Sequence, residues 1–214
     1  MHMQVGDLII FGKYEWRVLE IQNNSALIIT EEVIARRPYH NILMDITWAD
    51  CDMRKYLNGE FYDRFTEEEK SRIVTVINEN PDNPWFGTKG GVDTEDKVFN
   101  LTIFDVVCKY FGDSSNLLYN RGKNQTYWFQ RKDPNNNKRI AKHKGVNTQW
   151  HLRTPGRYQC GISNVGGDGS AHITGNGVKS LTVKISNVHH SKRRKATDED
   201  HMGIRPALWL KLEI

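Results

Sequence analysis

Apolar and polar residues alternate with the period of two that marks half-buried strands through the opening of the chain. Asp7-Leu-Ile-Ile-Phe11, Tyr14-Glu-Trp-Arg-Val-Leu-Glu-Ile21 and Ala26-Leu-Ile-Ile-Thr30 are separated by Gly12-Lys13 and Gln22-Asn-Asn-Ser25. Both separators are good turn chemistry, so a three-stranded antiparallel meander is expected, with Trp16 in the core. The period then changes. Residues 50–57 are spaced as a short helix that Asn58-Gly59 should stop. Thr66-Glu-Glu-Glu69 is a capping box opening another helix. Residues 80–91 read as a loop, 97–101 as a strand, and 103–110 as a helix. Residues 114–146 are polar and Asn-rich, with Tyr127-Trp128-Phe129 as their apolar island. Short β-type pieces follow at 161–165, 170–174, 181–185 and 204–212, and the glycine clusters 166–169 and 175–177 read as hairpin turns. The expectation is an α+β fold over 1–214 as one domain. Strands and two or three helices fill 1–114, a loop-rich part fills 115–214, and the last strand pairs with the first sheet.

Composition adds three constraints. Apolar residues make up only 38% of the chain, but six Trp and 10% aromatics argue for a packed core. No stretch approaches the roughly 18 apolar residues of a membrane span, and residues 1–7 lack a basic flank followed by an apolar run. A cytoplasmic setting is therefore the default, with surface or phage-associated display as the alternative. Cys51, Cys108 and Cys160 are too far apart for a disulfide framework or a C-x-x-C zinc site. Charge is unevenly spread. Residues 1–114 carry 12 Lys+Arg against 20 Asp+Glu, a net of −8, while residues 115–214 carry 18 against 6, a net of +12. Either the halves attract each other inside the fold, or the basic half faces an anionic partner.

Catalytic constellations are scarce. There is no Walker-type loop, G-x-S-x-G or His-Glu-x-x-His. Glu67, Glu68 and Glu69 are explained by the positive end of their helix. His189-His190 lies beside Lys192-Arg-Arg-Lys195, where repulsion works against a cation site. Cys160 would need a base or cation to act as a nucleophile, and His151 and Arg157 are near only in sequence. The basic stretches 131–144 and 192–195, interleaved with Tyr127, Trp128, Phe129 and Trp150, have the charge and stacking rings that single-stranded nucleic acid requires. The six carboxylates after residue 115 do not form a calcium-ligand pattern.

Three pieces carry a resemblance: Ile46-Thr-Trp-Ala-Asp-Cys-Asp-Met-Arg-Lys-Tyr-Leu-Asn58 followed by Phe65-Thr-Glu-Glu-Glu-Lys70; Asp96-Lys-Val-Phe-Asn-Leu101; and Trp150-His-Leu-Arg-Thr-Pro-Gly156 with Gly203-Ile-Arg-Pro-Ala-Leu-Trp209. Together they resemble a bacterial family of unknown function, common in gut Firmicutes, whose pattern runs Trp-Trp-Leu-Arg-Ser-Pro-Gly, a Gly/Asn-rich middle, then Gly-Val-Arg-Pro-Ala-Leu. Here His151 replaces the second Trp, Thr154 replaces Ser, and residues 179–200 form an unusually basic insert. The ending also resembles the C-type-lectin-like and formylglycine-generating-enzyme fold, some relatives of which are diversified by retroelements.

That resemblance implies a rigid scaffold displaying variable loops. It implies a non-enzymatic binding domain for a protein or glycan, with no cofactor and no metal, whose ligand contacts come from Trp128, Trp150, His151, Arg157, Tyr158, Gln159, Asn164, His172 and Asn176. Nucleic-acid or polyanion binding is the alternative. An enzyme of formylglycine-generating type would need a cysteine pair that Cys160 lacks. Arg153 and Arg205 are expected as buried guanidiniums bonded to backbone carbonyls rather than as ligand contacts.

Overall fold

The computed structural model describes residues 3–42, 44–121, 133–178 and 201–213, and side chains throughout these except at 176–178. The Tyr127-Trp128-Phe129 island, the 181–185 strand, His189-His190 and the Lys192–Lys195 patch lie outside the described residues.

The opening meander forms as its alternation dictates: β1 (Leu8–Phe11), β2 (Tyr14–Gln22) and β3 (Ser25–Thr30) pair antiparallel in succession. Trp16 is fully buried and donates Nε1–H to the Phe11 carbonyl at 2.8 Å. The chain then crosses to a second sheet at β4 (Ala35–Arg37). Next come α1 (Asp52–Tyr56), α2 (Glu67–Arg72), β5 (Ile73–Val74), β6 (Val76–Asn78) and β7 (Thr94–Asp96). They are followed by α3 (Ser115–Tyr119), α4 (Asn136–Arg139), β8 (Lys142–His143) and β9 (Val146–Asn147). The ending is all strand: β10 (Trp150–Pro155), β11 (Gly161–Val165), β12 (Ala171–Val178), β13 (Met202–Ile204) and β14 (Ala207–Lys211). The class is α+β, mostly sheet with a few short helices.

Two five-stranded sheets result, ordered β1-β2-β3-β14-β5 and β12-β11-β10-β13-β4. The last strand does pair with the first sheet, β14 lying antiparallel to β3 from Ala207↔Ile29 to Lys211↔Ser25. The sheets are joined by two crossings, β3 to β4 and β13 to β14, which lie side by side: Thr30 N–H donates to the Pro206 carbonyl and Ile34 N–H to that of Ile204. Arg205, between them, donates Nε–H to the Thr30 carbonyl at 2.8 Å and stacks near Trp150 and Phe111. Gly203 is required by proximity. A Cβ there would come within 2.7 Å of Val33 and 2.9 Å of the Gln149 carbonyl, because β10 and β4 flank it on both sides.

Four local expectations are corrected. Asn58-Gly59 does not end a helix; the chain continues through a π-helical turn, Leu57–Phe61, whose Leu57 and Phe61 are buried. The Asn58 side chain is used elsewhere, accepting from the amides of Lys97 and Val98 and donating to the carbonyls of Arg54 and Val98. Residues 97–101 form no strand beyond a bridge between Phe99 and Ala207, and the helix at 103–110 is short and π-wound over Asp105–Lys109. The stretch 114–146 supplies α3, α4 and the β8–β9 pair rather than loop alone. Gly175 is a kink inside β12, not a turn: at φ +68° its Cα faces the Ile162 carbonyl and Gly156, where no Cβ fits. By contrast the 166–169 turn and the Thr66–Glu69 capping box form as expected.

The first two motif pieces meet in space at Asp96. Its carboxylate, 1% exposed, accepts from Trp48 Nε1, Arg54 Nε, Asn78 Nδ2 and Thr94 Oγ1, with Asn58 Nδ2 at 3.4 Å. Removing that charge deprives the Arg54 Nε–H and several other buried donors of their carboxylate acceptor. We expect Asp96→Asn to lose roughly 3 kcal/mol of stability in urea unfolding, against about 1 kcal/mol for Thr66→Ala at the helix cap.

Candidate functional site

The sequence-predicted residues divide between the interior and one loop face. Trp150, His151 and Asn164 are buried in adjacent strands. Trp150 donates to the Arg139 carbonyl and packs on Phe111, so it is a core residue rather than a surface contact. The registers His151↔Asn164↔His172 set a polar row across β10, β11 and β12. His151 Nε2 lies 3.0 Å from the Arg37 carbonyl, while its Nδ1 and the Asn164 Oδ1 have no hydrogen-bond partner among the described residues. Burial pulls the His151 pKa down to about 4, against the pull of the Arg37 carbonyl. His172 is lowered by burial too, with Asp168 opposing. Trp128 lies outside the described residues, as does the side chain of Asn176, whose backbone runs in β12.

Asp168, Ser170 and His172 bring the three residue types of a serine nucleophile together, but in the wrong connectivity. Ser170 Oγ sits between Asp168 Oδ1 and His172 Nε2, at 2.8 Å from the latter, and Ser170 is fully buried. A triad needs the carboxylate on the far side of the imidazole and a serine open to substrate. This trio instead closes the β11–β12 turn. Cys160 is half-buried, and no disulfide joins any of the three cysteines.

Arg157, Tyr158 and Gln159 come to the surface in the turn after β10. That turn is fixed by Arg157 N–H on the Thr174 carbonyl and Gly161 N–H on that of Tyr158. Against it packs the 80–91 loop, held in place by Asn83. Its Nδ2 donates to the carbonyls of Pro155 and Ile173, both at 2.8 Å, and its Oδ1 caps the amides of Trp85 and Phe86. Thr88 Oγ1 bonds the Arg157 carbonyl, and Gln159 Nε2 bonds the Lys89 carbonyl. These bonds present a ladder of alternating charge and ring. The Arg121 guanidinium lies 4.8 Å from the Phe86 ring centre, and that of Arg157 lies 5.4 Å from both Phe86 and Tyr158. Arg121, Arg157 and Tyr158 are exposed, Tyr158 at 59%.

Phe86, Thr88, Lys89 and Arg121 were missed in the sequence. The 80–91 segment reads correctly as a loop, but nothing local says that Asn83 docks it against a turn about seventy residues later. Among the described residues no three His, Cys, Asp or Glu side chains converge to hold a metal, and no helix is long and apolar enough to cross a membrane.

The buried His151 fixes a pH dependence. Its folded pKa, about 4, lies below the value near 6.5 of an unfolded histidine, so the unfolded chain takes up the proton first and stability falls as pH drops through that window. Stability is expected to be flat above about pH 7 and roughly 2 kcal/mol lower at pH 5. Urea midpoints at the two pH values check this, and His151→Gln, which can still donate to the Arg37 carbonyl, should reduce the difference, with His172 leaving a remainder of the same sign.

No curated protein and no solved structure matches the chain. The model of one family, described as domain of unknown function DUF6273, matches residues 23–212. The match takes in both crossings, the Asp96 cluster and the loop face, and the chain is a member of that family.

Proposed function

We propose that this chain is a non-enzymatic ligand-binding domain of C-type-lectin-like architecture that recognises a protein partner through the loop face around Arg157 and Tyr158. The observation that carries this reading is the Arg121–Phe86–Arg157–Tyr158 ladder. Guanidiniums stacked on rings have lost much of their rotational freedom and still present donors edge-on, which suits bidentate capture of carboxylates. Tyr and Arg are also the side chains on which interface energies concentrate. Of the protein and glycan ligands that the sequence allows, this face favours an acidic protein segment, because Arg121 and Arg157 are exposed on it with no carboxylate paired to either among the described residues. The domain works by presenting a rigid surface, with the turn and the 80–91 loop each tied by hydrogen bonds to the sheet. Diversification by a retroelement would act on side chains of this turn without disturbing those backbone bonds.

The test is a binding screen of the full chain against acidic peptides and composition-matched neutral ones. Acidic peptides should bind, and Arg157→Glu and Tyr158→Ala should each weaken binding at least about tenfold, or roughly 1.4 kcal/mol. Unfolding midpoints near wild type would show that the fold is intact. Binding of oligo(dT) with a steep salt dependence, in place of acidic peptides, would replace this reading with the nucleic-acid one.

A further inference from the structure

A separate concavity lies against the first sheet, between its β2-β3-β14 face and the segments 77–81 and 99–110. It is an open groove of about 710 Å³, within the range of small-molecule sites. The strand register explains one wall: Glu20↔Leu27↔Trp209 are aligned across three strands and share a face. Trp209 is only partly covered, and its indole forms part of this wall. The other wall brings Phe99, Phe104, Asp105 and Tyr110. Arg153 also lines the groove.

Tyr110, Glu20, Asp105 and Arg153 are held by hydrogen bonds before any ligand arrives. Tyr110 Oη donates to Glu20 at 2.6 Å. Asp105 Oδ2 accepts from the amide and hydroxyl of Thr102 at 2.8 and 2.7 Å, and lies 3.9 Å from Arg153. Arg153 is 8% exposed and donates to the Asn100 carbonyl at 2.6 Å, with its guanidinium 5.4 Å from the Phe99 ring centre. Its Nε–H has no partner among the described residues. The lining has both signs of charge, with Glu20, Glu79 and Asp105 facing Lys109 and Arg153. A ligand of one charge meets its own sign here. A neutral molecule with many hydroxyls and one apolar face does not: carboxylates accept from its hydroxyls, cations donate to its oxygens, and the indole packs on its C–H face.

We propose that this groove is a binding site for a neutral saccharide of one or two rings, distinct from the loop face and independent of the function assigned to it. Mixed-sign, pre-positioned hydrogen-bonding groups beside an accessible indole are the required combination.

Ligand-observed NMR of the full chain with glucose, galactose, N-acetylglucosamine and their neutral disaccharides tests the proposal. At least one should show saturation transfer, and its affinity, measured by calorimetry, should fall about tenfold or more in Glu20→Gln and in Trp209→Leu. Arg157→Glu should leave it unchanged. Unfolding midpoints establish that the variants are folded, and Glu20→Gln keeps an acceptor for Tyr110, so it remains informative if Trp209→Leu destabilises the sheet. Absence of saturation transfer from every sugar overturns the site. So does binding that survives both groove variants, and sugar binding lost in Arg157→Glu but kept in the groove variants would move the ligand to the loop face. Failure of the acidic-peptide screen leaves this outcome untouched.

Discussion

A buried carboxylate organises the first half of this protein. Asp96 is enclosed by an indole N–H, a guanidinium, two amides and a hydroxyl, drawn from residues 48 to 94. A charge taken out of water is tolerable only when its lone pairs are all used, so the five donors must arrive together. That requirement positions the 48–58 helical segment against β6 and β7, and through Asn58 it sets the path of residues 97 and 98. From there the chain runs to Phe99, which bridges to Ala207 in the last strand. One desolvated anion thus links the helical region to the sheet that holds both chain ends.

The second half solves the same problem with the opposite sign. Arg139 is fully buried, paired with Asp133 at 2.8 Å and bonded to the Val106 carbonyl. Arg153 and Arg205 reach backbone carbonyls, as expected for structural guanidiniums, and burial draws the Arg205 pKa down to about 10. Part of the positive excess of residues 115–214 is therefore consumed inside, where it ties strands and crossings together. The attraction between the two halves is seen at Arg205, which approaches Glu31 of the acidic half to 3.8 Å, while Arg121 and Arg157 stay exposed on rings.

Rigid backbone with side chains held by neighbouring groups is the common character of the loop face and the groove. At the loop face, Asn83 converts a proline- and glycine-rich loop into a fixed neighbour of the 156–160 turn. At the groove, Tyr110 and Thr102 immobilise two carboxylates. In each case the ordering cost has been met by bonds internal to the fold, which leaves the ligand-facing atoms ready.

Local chemistry was enough to specify the meander, the capping box and the 166–169 turn, because each depends on a short period or on groups within a few residues, and the expected pairing of the last strand with the first sheet also forms, although it joins the two ends of the sequence. It was also enough to place Trp16 and the two guanidiniums inside. It failed where a side chain answers to a distant partner. Asn58 gave up a helix stop to bind residues 97 and 98, Gly175 became a kink because β11 presses on it, and Trp150, His151 and Asn164 went inward because β10 and β11 are buried on both faces. Arg157, Tyr158 and Gln159 were legible from the resemblance, but their partners in the 80–91 loop and the whole groove were not, since Phe86 meets Arg157, and Glu20 meets Tyr110, only after residues seventy to ninety positions apart have been folded together. Periodicity reports which side of an element is apolar; it has no term for what the other side will meet.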